Sequence, residues 1–250
     1  MLPHENGANF YDFIFNNRFG HGLSQLTQRN INDIQSRFPK GIKILDFGAG
    51  TGRLAIPLAE MGYQVFAVDQ CKKMLQVLQE KAEAKNLVIP TSTTLDNFKH
   101  ESFDLIISVF TVLHYITSEE VLHGYFRDFK DMLKPGGHYL FDLENVEPYQ
   151  NIYRRQNGLV HNRQNVLPDG DRINDLVKVS FSTPDKTLAD YHEKVSGIYK
   201  GVPFGPLPEN FQLKFWTSKE VTGFLTTNLG FELVNTSNVL NATYFLFQKK

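Results

Sequence analysis

Two patterns of apolar and polar positions run along the chain. In five stretches, apolar residues recur every three to five positions, as on one face of an amphipathic helix. Between these stretches lie short runs that are apolar almost throughout, which is typical of strands covered on both faces. The predicted helices span 10–38, 53–61, 71–85, 118–133 and 217–230, and the predicted strands span 42–47, 64–68, 87–89, 103–110, 139–143, 231–235 and 244–248. This alternation predicts βαβ units and a mostly parallel α/β sheet.

A different pattern fills residues 149–215. Alternating segments such as 176–182 and 188–199 are separated there by turn signals, for example Pro168-Asp169-Gly170-Asp171. Strands that are joined by turns, without intervening helices, predict an antiparallel insertion in the α/β domain. The helix and strand alternation returns after Phe215.

Composition narrows the class of protein. The 250 residues are 41% hydrophobic and 21% charged, and the net charge of −1 lacks the basicity expected of a nucleic-acid binder. One cysteine excludes an intrachain disulfide, and the histidines show no metal-ligand spacing, so we expect no metal. No apolar run approaches the roughly 20 residues of a membrane helix, and no secretory signal is visible. We expect a cytoplasmic protein that binds neither nucleic acid nor membrane, and the sequence leaves a homodimer open.

The stretch ILDFGAGTG at 44–52 carries the most specific chemistry. A buried strand enters a turn with alternating glycines that ends at Gly52, and missing Cβ atoms let a ligand approach the main chain closely. A dinucleotide fingerprint requires a third glycine where this chain has Arg53, and a Walker phosphate loop requires a Gly-Lys pair that is absent here. A ligand with an ammonium group and no pyrophosphate suits the acid Asp46 better. A tight turn without any ligand is the alternative.

A second acid, Asp69, follows the predicted strand at 64–68. A carboxylate at this position can accept two hydrogen bonds from a ribose diol. It can also act as the N-cap of the helix predicted at 71–85. The two roles are compatible, so the position favours a nucleoside ligand without excluding a structural role.

Four motifs together resemble class I S-adenosylmethionine-dependent methyltransferases. They are ILDFGAGTG, VFAVDQCKKML, ESFDLIISVFTVLHYI and LKPGGHYLFDL, and the resemblance covers about residues 10–145 and 215–250. It implies a Rossmann-like, seven-stranded, mostly parallel sheet with helices on both faces and an antiparallel last strand. It also implies an N-terminal helical lid (1–40), a domain that binds S-adenosylmethionine (41–148 and 216–250) and an inserted antiparallel β lobe for the substrate (149–215).

The resemblance assigns cofactor contacts position by position. The implied contacts are Asp46, Gly48, Ala49 and Gly50 on the methionine side, Asp69 on the ribose, Gln70 and Met74 beside the adenosine, Thr94 and Leu95 at the adenine, and Phe110 close to the transferable methyl group. Many members of the family carry an acid where this chain has Thr94. Asp96 supplies that acid only if the alignment is shifted.

The methyl acceptor is expected to be a small molecule. The N/D-P-P-Y/F motif of methyltransferases that act on nucleobases or amides is absent after the fourth strand, and the insertion mixes both signs of charge evenly. The stretch FTVLHYIT and the β-rich insertion resemble small-molecule N-methyltransferases of the aminosugar and glycine type. An amine nitrogen is therefore the expected target, with oxygen as the alternative.

Two residues are candidates for catalysis. His114 follows the fourth strand and has the pKa range of a base near neutral pH, or it bonds the main chain at the entry to a helix. Tyr11 closes over the cofactor as part of the lid, or it is an aromatic residue on the buried face of its helix. The insertion adds residues that either line an acceptor pocket or pack in the lobe: His161, Tyr191, His192, Tyr199 and Trp216.

Three other functions compete with this interpretation. A catalytically inactive protein that binds or senses S-adenosylmethionine is supported only by Thr94. A nicotinamide-dependent dehydrogenase is disfavoured by Arg53 at the third-glycine position. A methyltransferase for RNA or protein is disfavoured by the even charge of the insertion.

Overall fold

The computed structural model of the chain describes residues 4–18, 21–145, 157–183, 185, 187–239 and 241–250. Within them, seven strands form one sheet: β1 (Lys43–Phe47), β2 (Gln64–Val68), β3 (Thr91–Ser92), β4 (Phe103–Ser108), β5 (Leu133–Glu144), β10 (Glu232–Val239) and β11 (Ala242–Gln248). Their order across the sheet is β10-β11-β5-β4-β1-β2-β3. Strand β11 runs antiparallel to both of its neighbours, whereas β1 to β5 pair in parallel. The predicted fold class is confirmed.

Helices cover both faces of this sheet. They are α1 (Tyr11–Arg18), α2 (His21–Arg37), α3 (Ala55–Glu60), α4 (Lys72–Glu83), α5 (Glu119–Met132) and α6 (Ser218–Gly223). Successive side chains of a strand point to opposite faces, so Ile44 packs with α2, α3 and α4 while Leu45 packs with α5. The two apolar layers explain why these strands are apolar almost throughout.

Two predicted elements differ from the structure. The helix expected at 10–38 is two helices, α1 and α2, and the junction at residues 19–20 lies outside the described residues. The third strand is Thr91–Ser92 rather than 87–89. Leu87 and Ile89 do pack against the core, but strand pairing begins only past Pro90, which has no N–H to donate. Burial and strand pairing are separate properties here, and the apolar pattern reports only burial.

The insertion forms a second, antiparallel sheet of four strands in the order β6-β7-β8-β9. These strands are β6 (Val160–Val166), β7 (Arg172–Phe181), β8 (Leu188–Tyr199) and β9 (Val202–Lys214). The predicted start of the insertion, at residue 149, lies outside the described residues. Strand β9 packs against the 3₁₀ turn Val112–Tyr115 that follows β4, which places the inner face of the second sheet beside the carboxyl edge of the first.

The N-terminal segment connects the two sheets. Ile14 of α1 is buried in one cluster with Ile173, Val195 and Phe204 of the second sheet. Tyr11, on the same helix, packs with Met74 of α4. Among the described helices, none is both long and apolar enough to cross a bilayer.

Candidate functional site

The carboxyl ends of the parallel strands bring the site together. Chain segments leaving β1, β2, β4 and β5 meet at one edge of the sheet, where an open α/β sheet binds its ligands. The turn after β1 lies against β2, because the N–H groups of Gly48 and Ala49 donate to the Val68 carbonyl oxygen at 2.7 and 3.0 Å. The turn is therefore fixed to the sheet by its own main chain.

Gly48 is the residue at which this turn most requires glycine. Its φ of +82° is in the left-handed region, and a Cβ atom there would overlap both γ-methyl groups of Val112. Gly50 and Gly52 also have positive φ, at +55° and +89°. Gly48 thus lies closely against the segment after β4, whereas a Cβ at Gly52 would approach Ile56 of α3 and Leu78 of α4.

Asp69 lies at the end of β2 and faces this turn. One carboxylate oxygen accepts from the Gly50 N–H at 2.9 Å and the other accepts from the Cys71 N–H at 2.8 Å. The N-cap of α4 is Cys71, so Asp69 precedes the cap instead of forming it. Each carboxylate oxygen keeps a lone pair, which leaves the acid able to accept hydrogen bonds from two hydroxyl groups.

One cavity of about 950 Å³ contains this edge of the sheet. All ten residues that the sequence assigns to the cofactor line it: Asp46, Gly48, Ala49, Gly50, Asp69, Gln70, Met74, Thr94, Leu95 and Phe110. Asp96 does not replace the acid missing at Thr94. Its side chain is 75% exposed and pairs with Lys99 at 3.0 Å.

Burial at the turn raises the pKa of its two acids. The pKa of Asp46 rises to about 7, mainly because the residue is desolvated, although Arg53 opposes the shift. Desolvation also raises the pKa of Asp69, against the hydrogen bonds from Cys71 and Gly50. A cation at this end of the cavity would therefore be favoured, because it would restore the charged form of Asp46.

The segment after β4 is held in an unusual conformation. Phe110 and Thr111 have φ values of +75° and +64°, which are rare for residues other than glycine. The carboxylate of Asp142, on the neighbouring β5, accepts from both of their N–H groups at 3.1 and 3.0 Å. Asp142 is thus the residue that holds Phe110 at the wall of the cavity.

The structure places His114 outside the cavity wall formed by the described residues. Its side chain is buried, its Nδ1 lies 2.7 Å from the Lys214 carbonyl oxygen, and its Nε2 accepts from the Glu144 N–H at 3.0 Å. Burial lowers the pKa of the imidazole to about 4. With both nitrogens engaged by main-chain groups, the geometry favours the main-chain role of His114 over the role of a proton acceptor.

Tyr11 does line the cavity. Its ring stacks on Phe15 with centroids 4.2 Å apart, and burial raises the pKa of its hydroxyl. The next residue, Asp12, accepts from Thr51 in the glycine turn at 2.6 Å and pairs with Lys81 of α4 at 2.6 Å. Helix α1 is therefore tied directly to the turn over which the sequence predicts it to close.

The opposite wall comes from the inner face of the second sheet. Tyr191 lines it and stacks on Phe211 with centroids 5.3 Å apart. His161 also lines the cavity, whereas Trp216 is buried and donates from Nε1 to the Ile116 carbonyl oxygen at 2.9 Å. Tyr199 packs against Phe13. Of the aromatic residues singled out in the insertion, some therefore line the cavity and others pack in the core.

Charged groups also reach this wall. Arg18, at the end of α1, lies 3.0 Å from Glu193 and 3.1 Å from Asp175. Asp175 also pairs with Arg163 at 2.7 Å. These side chains join the N-terminal helix to β6, β7 and β8, so the wall is held by ionic contacts between parts of the chain that are far apart in sequence.

Sequence reasoning missed several residues of the cavity. They are His4, Arg18, Tyr115, Asp142, Glu144 and Glu193. Asp142 and Glu144 could have been found, because they end β5 as Asp46 and Asp69 end their strands. His4 has no such signal, since its bond to the Tyr115 hydroxyl, at 2.9 Å, joins residues 111 positions apart.

Comparisons with known proteins agree with this geometry. Residues 44–137 match the model of a methyltransferase domain family. A Geobacillus sp. (strain WCH70) protein named a methyltransferase is 30% identical over 61% of this chain and 62% of its own length. A ubiquinone biosynthesis O-methyltransferase of Dinoroseobacter shibae is 31% identical over 52% of this chain and 53% of its own length. The aligned stretches thus span less than two thirds of these relatives.

Solved structures show the same fold over almost the whole chain. An S-adenosylmethionine-dependent methyltransferase from Clostridium acetobutylicum has a TM-score of 0.76 at 16% identity, with 96% of each chain covered. An amino pentose methyltransferase from Micromonospora echinaspora, solved with S-adenosylmethionine bound, has a TM-score of 0.67 at 13% identity over 96% of each chain. Residues 44–137 thus match a methyltransferase domain family, and the chain has the fold of these solved S-adenosylmethionine-dependent methyltransferases.

Proposed function

We propose that this chain transfers the methyl group of S-adenosylmethionine to a small molecule, at an amine nitrogen. The observation that carries the proposal is the continuous cavity of about 950 Å³ at this edge of the sheet. It joins the glycine turn and Asp69 to a wall of aromatic rings and charged side chains from the second sheet. A volume of this size is in the range that holds a small ligand.

The residues at the glycine turn fit S-adenosylmethionine. Gly48 lets the turn pack closely against Val112 at the cavity, Asp69 has free lone pairs for the ribose hydroxyls, and the buried carboxyl of Asp46 favours a cation. Thr94 and Leu95 border the adenine in this proposal, Gln70 and Met74 lie beside the adenosine, and Phe110 lies near the methyl group. When it is bound, the cofactor supplies an activated methyl group on a positively charged sulfur.

The acceptor is proposed to bind against the second sheet. Its wall combines the stacked pair Tyr191 and Phe211 with the carboxylates of Glu193 and Glu144. Glu193 is paired with Arg18, so the Glu144 carboxylate is the acid that favours a cationic ligand here, and protonated amines are cations at neutral pH. This charge supports an amine over an alcohol or phenol acceptor. The insertion offers no basic stripe of the kind that binds nucleic acid, which supports a small molecule.

Tyr11 is proposed to close the cofactor end of the cavity. It stacks on Phe15 and packs with Met74 of α4, and the adjoining Asp12 bonds Thr51 in the turn. The raised pKa of its hydroxyl keeps Tyr11 neutral at physiological pH. Its proposed contribution is therefore to exclude water and to position the bound molecules.

The test is methyl transfer from S-adenosylmethionine carrying a labelled methyl group. The acceptors are three primary amines (glucosamine, glycine and ethanolamine) and matched hydroxyl compounds (glucose, glycolate and ethylene glycol). The proposal expects label in at least one amine, and S-adenosylhomocysteine formed in equal amount. Label only in hydroxyl compounds would show an O-methyltransferase and overturn the proposed amine target.

A further inference from the structure

The main chain of Glu144 is held by a hydrogen bond to the buried side chain of His114. The Nε2 atom of His114 accepts from the Glu144 N–H at 3.0 Å, while Nδ1 lies 2.7 Å from the Lys214 carbonyl oxygen. The ring therefore joins the end of β5 to the end of β9. It holds the main chain of Glu144 at the point where the side chain enters the cavity wall.

The Glu144 carboxylate differs from the other acids at this wall. Glu193 pairs with Arg18 at 3.0 Å, and Asp142 accepts from the N–H groups of Phe110 and Thr111. Within the described ranges, the Glu144 carboxylate has neither a hydrogen bond nor an ion pair. A half-buried carboxylate that the described residues leave unpaired is suited to bind a polar or cationic ligand.

The location of this carboxylate matches the chemistry of the proposed reaction. Glu144 is two positions beyond Asp142 on β5, and Asp142 binds the main chain of Phe110. Residues two apart on a strand share a face, so both acids are on the side of the sheet that meets the cavity. Phe110 is the residue implied to lie near the transferable methyl group, and Glu144 lines the same cavity two positions from the acid that holds Phe110.

We infer that Glu144 binds the acceptor amine and takes its proton, an inference that rests on the proposed function. The Glu144 carboxylate accepts one proton from R–NH₃⁺ and leaves the neutral amine R–NH₂. The nitrogen lone pair then forms the new N–C bond, and the electron pair of the broken S–C bond goes to sulfur. The products are R–NH₂⁺–CH₃ and S-adenosylhomocysteine, and Glu144 returns its proton to water.

The electrostatic surroundings support this role. Desolvation, and to a smaller extent Asp142 on the same strand, raise the pKa of Glu144 to about 7. Two residues of the turn after β4, Tyr115 and His114, face Glu144. Burial raises the pKa of Tyr115 well above its usual value and lowers that of His114, so both side chains are neutral at physiological pH. Arg18 and Glu193 share the wall as a pair of opposite charges. A carboxyl with a pKa near neutrality can exist in either protonation state during turnover.

The first test compares Glu144→Gln and Glu144→Asp with the wild type, and uses Glu80→Gln, an exposed position on α4, as the matched control. We expect Glu144→Gln to bind S-adenosylhomocysteine like the wild type but to lose about 10²-fold or more in kcat/KM with each amine that the wild type methylates. Glu144→Asp should recover part of this loss, and Glu144→Gln should lose the acidic limb of the pH profile. Unchanged kcat/KM and an unchanged pH profile in Glu144→Gln would overturn the inference.

The second test does not depend on turnover. Protein labelled with [5-¹³C]glutamate and bound to S-adenosylhomocysteine is titrated by NMR, and the Glu144 signal is assigned by its loss in Glu144→Gln. A midpoint near neutral pH supports the inference, whereas a midpoint of about 4, the ordinary value for glutamate, overturns it. Failure of S-adenosylhomocysteine to bind would instead reject the proposed function, which keeps the two failures distinct.

Discussion

His114 and Glu144 are joined by a hydrogen bond in which the main-chain N–H of Glu144 donates to Nε2 of the ring at 3.0 Å. The other ring nitrogen, Nδ1, lies 2.7 Å from the Lys214 carbonyl oxygen. Because Nε2 accepts a hydrogen bond, the neutral ring carries its proton on Nδ1. Nδ1 therefore donates to the Lys214 carbonyl oxygen. The histidine is thus a link between the two sheets, and the candidate for proton transfer is the carboxylate it positions.

Replacing His114 should reduce stability more than it reduces cofactor binding. His114→Ala leaves the buried Lys214 carbonyl and the Glu144 N–H without their partner, which should cost at least about 2 kcal/mol in the free energy of unfolding. Denaturant titration measures this cost, and His100→Ala, whose side chain is 74% exposed, is the control. A His114→Ala protein as stable as the wild type but without turnover would restore the histidine as the proton acceptor.

The contribution of His114 should also depend on pH. Its folded-state pKa of about 4 is below the unfolded value of about 6.5, so below pH 6.5 the unfolded chain binds a proton that the folded protein does not. The stability due to His114 is therefore complete above pH 6.5 and is lost as the pH falls toward 4. The stability gap between the wild type and His114→Ala should shrink by about 2 kcal/mol between about pH 7 and pH 5. A constant gap over this range would contradict the neutral, buried ring.

Gly48 should be more sensitive to substitution than a glycine with similar dihedral angles elsewhere. Gly48→Ala combines an unfavourable φ of +82° with overlap on Val112, whereas a Cβ at Gly62, with φ of +92°, meets no atom within 4 Å. Gly62→Ala should cost only the backbone strain, about 1–2 kcal/mol, and keep affinity for S-adenosylhomocysteine. Gly48→Ala should cost more stability and lose that affinity. Equal affinity in the two variants, measured by calorimetry, would show that the turn does not meet the ligand.

Arg18 should stabilise the contact between α1 and the second sheet. Its side chain is 11% exposed, and Arg18→Met leaves the buried carboxylates of Asp175 and Glu193 with less positive charge, at a cost of about 3 kcal/mol. Arg37→Met is the matched control, because Arg37 forms an exposed pair with Asp33 worth about 0.5 kcal/mol or less. Thermal unfolding compares the two. An Arg18→Met effect as small as that of the control would mean that the ionic contacts at the wall contribute little.

Much of the fold could be predicted because its signals are local. A run such as Phe103–Ser108 is apolar since helices cover it on both faces, and the turn at Gly48 is marked by its own glycines. The short strand Thr91–Ser92 could not be placed in the same way, because Leu87 and Ile89 are buried without strand pairing.

The candidate site was more predictable on its cofactor side than at the opposite wall, where the sequence indicated only Tyr191 and His161 among the lining residues. Asp46 lies near the end of β1 and Asp69 directly follows β2, so their meeting at one edge is a consequence of the parallel sheet. The role of His114 depends on a carbonyl 100 positions away, at Lys214, and on a main-chain N–H 30 positions away. Neither contact leaves a pattern in the sequence, whereas the residue type and its position after the fourth strand suggested a base.

The central claim is that the glycine turn and Asp69 bind S-adenosylmethionine. The most direct measurement is calorimetric titration of the protein with S-adenosylhomocysteine, beside NADH and an Asp69→Ala variant. We predict micromolar affinity of the wild type for S-adenosylhomocysteine and no binding of NADH. The Asp69→Ala variant should bind S-adenosylhomocysteine at least about tenfold more weakly, because a tenfold change in affinity corresponds to about 1.4 kcal/mol, the size of one good hydrogen bond. Binding of NADH without binding of S-adenosylhomocysteine would contradict the account.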